Sequence, residues 1–486
     1  MGNVKVKYHW LNTFLYNTIM DEKEKIKKEL DALHFERADA LLSGFHENDG
    51  EEALLKIRAL RGLYRFEEAM KVCLEHEGEG TAFDLERAKC LFALGKTKEA
   101  RSLLETIEPT DKVKLTLAAL DGETGDVHRA LERLETIREE GLDGLDRMDF
   151  VLLQADLYSF EEKMNSSFWS YAKGLELTNS CVPKNWRSLR RMLIYHNMAD
   201  AYEQMEQEEK ALETYRMALT EMENQKKKDP SVTDLASYEI ELLLSVANCF
   251  SNAEYAKEAK TYLKKAKALL PEMKPRQRDY FGARFHYIAG LIAMNAGQEP
   301  EAVFHFETAY HAQRELVKSG KDKREHVARS AYYLASLLTD EKSAKKLQLY
   351  QVATPIFKEV LEKEPSFYMA SLADMENEQG RLAKTQEEAL RHFDQAIEWY
   401  EKLLKRNPED RLAMESLLVT RINRMALDPI RDEEIVKEAL KEILTEKDNV
   451  PFIYSICAIL EEQDHSRTFF SWFHDFEEGL PTEFDA

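Results

Sequence analysis

Small and large apolar residues recur along this chain at helical spacing, in a fixed order. Three stretches carry the pattern most clearly: MADAYEQMEQEEKALETYRMAL from Met198, VANCFSNAEYAKEAKTYLKKAKALLP from Val246, and AGLIAMNAGQEPEAVFHFETAYHA from Ala289. Each has a small residue on a first helix (Ala199, Ala247, Gly290) and an apolar one three places on (Tyr202, Phe250, Ala293). An alanine follows at Ala211, Ala259 and Ala302, then a large residue at Tyr215, Leu263 and Phe306, then another alanine at Ala218, Ala266 and Ala309. Spacings of three, four and seven put side chains on one face of a helix. Small residues let two antiparallel helices close up, and the large one fills the space between neighbouring hairpins. One hairpin cannot bury both faces, so such units must stack.

Weaker copies follow the same order. One has Ala88, Leu91, Gly95, Ala100 and Leu104; another has Ala118, Gly125, Ala130 and Leu134; an earlier one has Ala69 after Gly62. A looser one reads Ala155, Tyr158 and Ala172, and later come Ala335 and Leu338 with Ala353 and Phe357, then Ala389, Phe393 and Ala396. The order resembles that of the tetratricopeptide repeat, in which small residues at repeat positions 8, 20 and 27 alternate with large ones. The resemblance covers roughly residues 50 to 410. It implies an all-α fold, a right-handed superhelical solenoid of antiparallel hairpins whose concave face is lined by the first helix of each unit.

The alanines Ala69, Ala100 and Ala130 are 31 and 30 residues apart, whereas Ala211, Ala259, Ala302 and Ala353 are 48, 43 and 51 apart. The family unit is about 34 residues. The division expected is an N-terminal helical cap over 1–45, compact repeats over 46–178, lengthened repeats over 185–410, and C-terminal helices with a cap over 411–486. The basic runs Lys226–Lys228 and Lys318–Arg324 fall in the extensions and read as solvated loops or helix ends. Within the last segment, Phe469–Phe473 is dense in aromatics and reads as a cap helix or a docking motif.

Composition narrows the picture. Only 18 glycines and 12 prolines among 486 residues suit long helices joined by short turns. A net charge of -22 disfavours nucleic acid and anionic membranes as partners. Five scattered cysteines with no CxxC suit a reducing cytoplasm and argue against a zinc or disulfide framework. The N-terminus shows no secretory pattern, and the longest apolar run, Val450–Leu460, is too short to span a bilayer. A cytoplasmic location is expected.

Signs of catalysis are missing. Ala93-Leu94-Gly95-Lys96-Thr97 imitates the end of a phosphate-binding loop, but that motif requires glycine at the place of Cys90. No HExxH, GxSxG or kinase set occurs, and no metal or cofactor is expected. Cys90 and Cys249 fall inside repeat helices, where a buried thiol is a small hydrophobe.

A partner would meet the first helices. The resemblance assigns that lining to repeat positions 2, 5, 9 and 12. The candidates it yields are His196 and Asp200, Asn248, the pair Arg284 and Tyr287, and the pair Arg329 and Tyr332. Arginine forks bind carboxylates, tyrosine supplies stiff contact area, and an asparagine amide can hold an extended backbone. The expected function is a protein- or peptide-binding scaffold, not an enzyme. The alternatives are a ligand-responsive regulator of the bacterial quorum-sensing receptor type and a non-catalytic subunit of a larger enzyme assembly.

Overall fold

The computed structural model describes residues 23–428 apart from 32–33, 44–49, 64, 143, 183, 231, 233–234, 320–323 and 362–367, together with 435–436. The aromatic run Phe469–Phe473 and most of the two expected caps lie outside the described residues. Among those described there is helix and turn and no strand. The chain divides into two compact units, residues 1–301 with 315–322, and residues 302–314 with 323–486.

In the first unit, helix pairs follow one another. Gly50–Gly62 pairs with Phe66–Glu75, Thr81–Ala93 with Thr97–Thr106, and Asp111–Glu123 with Val127–Glu135. Longer pairs then follow: Gly144–Phe160 with Met164–Cys181, Arg187–Gln204 with Glu208–Lys228, and Leu235–Asn252 with Ala256–Leu269. Helix Pro275–Asn295 packs beside Leu235–Asn252. The wide alanine spacing of the central repeats therefore reflects longer helices, up to 21 residues against 9 to 13 before. Lys226–Lys228 forms the end of a helix, with Lys226 on Glu239 at 2.8 Å and Lys228 on the Ser188 hydroxyl at 2.9 Å.

The small residues sit where helices touch. Ala88, Ala100, Ala199, Ala211, Ala247 and Ala259 have no exposed surface, and Tyr215 and Leu104 beside them are equally enclosed. The 144–181 pair corrects one expectation. Ala172 is exposed, and Ser167, Tyr171 and Gly174 occupy the small, large and small places. A Cβ on Gly174 would lie 2.8 Å from the Leu152 side chain. The hydroxyl of Tyr171 donates to Asp156, and Tyr215 repeats the arrangement on Asp200. Each ties the second helix of its hairpin to the first.

The turn between paired helices is also repeated. Gly95, Gly125, Glu162, Glu206, Glu254 and Gly297 all have positive φ, and each stands seven residues after the small residue of its first helix. The next residue donates its N–H back to a carbonyl five residues earlier, as from Lys96 to Leu91 and from Tyr255 to Phe250, at 2.8 to 3.0 Å across the six turns. This is the left-handed helix stop, in which one residue reverses the backbone and satisfies the last carbonyls.

One ionic node lies in the same unit. Asp121 is wholly buried, and its carboxylate meets Arg101 from one hairpin and Arg133 from the next, with Arg129 Nε at 3.8 Å.

In the second unit, Arg324–Ser336 pairs with Ser343–Leu361 and Met369–Arg381 with Gln386–Arg406, followed by Arg411–Met425. Here too the alanines Ala335, Ala353 and Ala396 are enclosed, and a Cβ on Gly380 would lie 2.6 Å from the Phe393 ring.

Two expectations follow. Ala259→Trp has no room for an indole and should open the 235–269 region or lower stability by at least ~3 kcal/mol, read from thermal unfolding. Glu254→Gly removes the Cβ penalty of the left-handed turn and should raise the melting point, by about 1 kcal/mol in stability. Loss of stability in that variant would show the turn geometry to be wrong.

Candidate partner-binding face

The first helices of the four N-terminal hairpins enclose a groove of about 670 Å³. Its floor is apolar, with Leu54, Leu85, Phe92, Leu115 and Leu153, and its walls carry Arg58, Arg61, Lys89 and Lys112 against Glu86, Asp146 and Asp149. Counted from the buried alanine of each copy, Leu85, Lys89 and Phe92 stand at repeat positions 5, 9 and 12 around Ala88, and Lys112, Leu115 and Ala119 at 2, 5 and 9 around Ala118. These are the lining positions the resemblance assigns. The residues expected from sequence lie on the central and later repeats, and none of them lines this groove.

The charges on the walls are partly spent on each other. Lys112 meets Asp146 at 2.7 Å, and Arg190 of the 187–228 hairpin pairs with Asp149. Arg61 and Lys89 both bond Glu86, Lys89 at 3.2 Å. Burial raises the Glu86 carboxyl, but the two cations outweigh it and hold it below the ordinary value.

The central candidates of the first unit fall on the same repeat positions. His196 is buried, with Nε2 2.9 Å from the Ser245 hydroxyl and 3.7 Å from Asp200. Asp200 and Glu203 share the Tyr215 hydroxyl, which donates to Glu203 at 2.6 Å. Glu203 is pushed up to about 7, chiefly by burial, with Asp200 adding to the effect. Cys249 beside it is buried, and burial together with Glu203 pushes its thiol up, which disfavours a thiolate. Asn248 is half-buried, and its Oδ1 has no hydrogen-bond partner among the described residues. Arg284 binds Glu241 at 2.6 Å, and Tyr287 is largely enclosed.

Neighbouring first helices are laced at adjacent positions. Ser159 donates to Gln204 at 3.0 Å, Asn252 to Glu203 at 3.4 Å, and Asn295 to Ser251 at 3.1 Å. In the second unit Tyr332 donates to Asp374 at 3.2 Å, and Tyr400 reaches the same carboxylate, which burial raises. Arg329 stands one turn before Tyr332, partly exposed.

Among the described residues no helix is long and apolar enough to cross a membrane, and no group of three or more His, Cys, Asp or Glu is placed to hold a metal ion.

Enclosed small residues, repeated left-handed stops and first helices turned to one lining define a helical-hairpin repeat protein. The tetratricopeptide repeat profile matches two stretches, residues 194–221, within the Ala199 copy, and 380–410, centred on helix Gln386–Arg406. No curated protein matches the chain in sequence. Among solved structures the chain is similar to the apo form of RapI, at 14% identity over 76% of this chain and 99% of that one, TM-score 0.44. It is also similar to a Rap protein complexed with competence and sporulation factor, at 16% identity over 82% and 99%, TM-score 0.46. A third is aspartyl phosphate phosphatase F from Bacillus subtilis, at 13% identity over 78% and 93%, TM-score 0.43.

The raised Glu203 carboxyl sets a pH dependence. Its folded pKa of about 7 exceeds the ordinary 4.5, so its contribution to stability is full below 4.5 and is lost as pH rises to about 7. Glu203→Gln should therefore stabilise the protein more at pH 8 than at pH 5, measured as the shift in urea midpoint. An equal shift at both pH values would remove Glu203 as the titrating group.

Proposed function

We propose that this chain is a non-catalytic adaptor that holds an extended segment of a protein or peptide against its first helices. The observation that carries the reading is the N-terminal groove, with an apolar floor and charged walls built from the lining positions of consecutive repeats. A groove of this size and polarity suits side chains of a partner better than a reacting small molecule, since its carboxylates are each engaged in an ion pair. In the first unit His196, Asp200, Asn248, Arg284 and Tyr287 extend the same set of positions. The unpartnered Asn248 Oδ1 is suited to accept a backbone N–H from an extended chain. Arg329 and Tyr332 hold the equivalent positions in the second unit.

The test uses peptides selected from a random library on the intact protein and then titrated by fluorescence anisotropy. Phe92→Ala should weaken binding about 30-fold, the effect of removing one ~2 kcal/mol anchor. Leu74→Ala, on an exposed apolar residue of a second helix, should leave it unchanged. The opposite result, with Leu74 needed and Phe92 dispensable, would move the site to the other side of the hairpins. Helical circular dichroism of each variant is checked first.

A further inference from the structure

We infer that the N-terminal groove is selective for an acidic, apolar protein segment, with Arg58, Arg61 and Lys89 forming its carboxylate subsite. The inference rests on the peptide-binding reading above and adds the chemistry of the ligand.

The argument is one of charge. The chain carries a net -22, yet the groove is lined by four cations against three carboxylates. Of the three carboxylates, Asp146 is held by Lys112 and Asp149 by Arg190. Among the described residues Glu86 is the one carboxylate in ion-pair contact with Arg61 and Lys89, so the two cations share one contacting anion. Arg61 Nε is buried and has no hydrogen-bond acceptor among the described residues. Arg58 stands one helical turn from Arg61, on the same face, and its pair with Asp31 at 2.9 Å is close to half-exposed on both sides. A pair so exposed contributes little and exchanges readily for a ligand. The guanidinium groups offer forked donors that suit a carboxylate.

The floor beside this corner supplies the other half of the specificity. Leu85 and Phe92 flank Lys89 on its own helix, and both are partly exposed to the groove. A segment placing a carboxylate at Arg61 and Lys89 would set neighbouring side chains on Leu85 and Phe92. An aspartate or glutamate next to leucine or phenylalanine fits both. A basic segment would meet two cations already short of anions.

The test uses three fluorescein-labelled extended peptides: alternating Leu and Glu, the same with Gln for Glu, and the same with Lys for Glu. The acidic peptide should bind the parent at least about tenfold more tightly than the Gln peptide, an advantage that shrinks as salt is raised, and the Lys peptide should bind least. Lys89→Gln should lower affinity for the acidic peptide about tenfold and leave the Gln peptide unchanged. Glu86→Gln, which removes the competing carboxylate, should tighten the acidic peptide; this gain separates a ligand subsite from a structural ion pair.

Equal binding of acidic and Gln peptides, both lost in Phe92→Ala, would overturn the carboxylate subsite and leave the groove standing. Acidic-peptide binding indifferent to both Lys89→Gln and Phe92→Ala would overturn the subsite and the groove reading together. A single-stranded oligonucleotide competing as well as the acidic peptide would make the ligand a polyanion and overturn the peptide class. Self-association abolished by Lys89→Gln would make the occupant a second copy of this chain, with the same consequence.

Discussion

Two helices can lie close together only where neither carries a side chain of any size, and this fold is organised around those places. Ala199 and Ala211, Ala247 and Ala259, Ala88 and Ala100 are all enclosed without exposed surface. Close approach leaves no room for slippage, so each contact fixes the offset of its two helices. The left-handed stop then fixes the reversal between them. Given a fixed offset and a fixed reversal, the next hairpin must stack in the same way, and the first helices of a unit present the same repeat positions to one side. The lining of the groove follows from the alanine contacts of the same helices, and Ala88 itself lies among the lining residues.

That arrangement separates two tasks along each first helix. Positions such as Ala88, Leu91 and Ala118 close the core, while Leu85, Lys89 and Phe92 are only partly buried and line the groove. The polar lacing through Ser159, Glu203 and Ser251, which hold in their copies the repeat position of Phe92, ties neighbouring first helices together. Partly exposed carboxylates accept tyrosine hydroxyls where the large core residue is Tyr171 or Tyr215, as at Asp156 and Asp200. These polar groups are occupied in positioning the face.

The alanine and glycine signals made the hairpins legible from sequence, because size and φ requirements restrict residue type severely at those points. Gly95, Gly125 and Gly297 announced their turns. Glu162, Glu206 and Glu254 hold the same backbone conformation and announced nothing, since glutamate carries no turn preference. The 144–181 pair was misread at Ala172 because serine at 167 and glycine at 174 fill places the pattern expected alanine to hold. The groove was hidden for another reason. Which cations are shared and which are matched depends on contacts such as Lys89 with Glu86 and Arg190 with Asp149, and only the second of these spans more than one helical turn of sequence. A net charge of -22 gave no hint of a locally cationic corner.

Asp121 has a consequence for how the molecule comes apart. Stacked repeats behave as a line of units coupled to their neighbours, and such a line frays where coupling is weakest. Detaching either the helix with Arg101 or the helix with Arg133 would break one of the two close ion pairs of a wholly buried carboxylate, which opposes separation of these helices. The 81–106 and 111–135 hairpins are thereby welded into one cooperative block. Partial opening must begin at other joints, and the groove, which lies across this block, keeps its shape while more distant parts of the chain breathe.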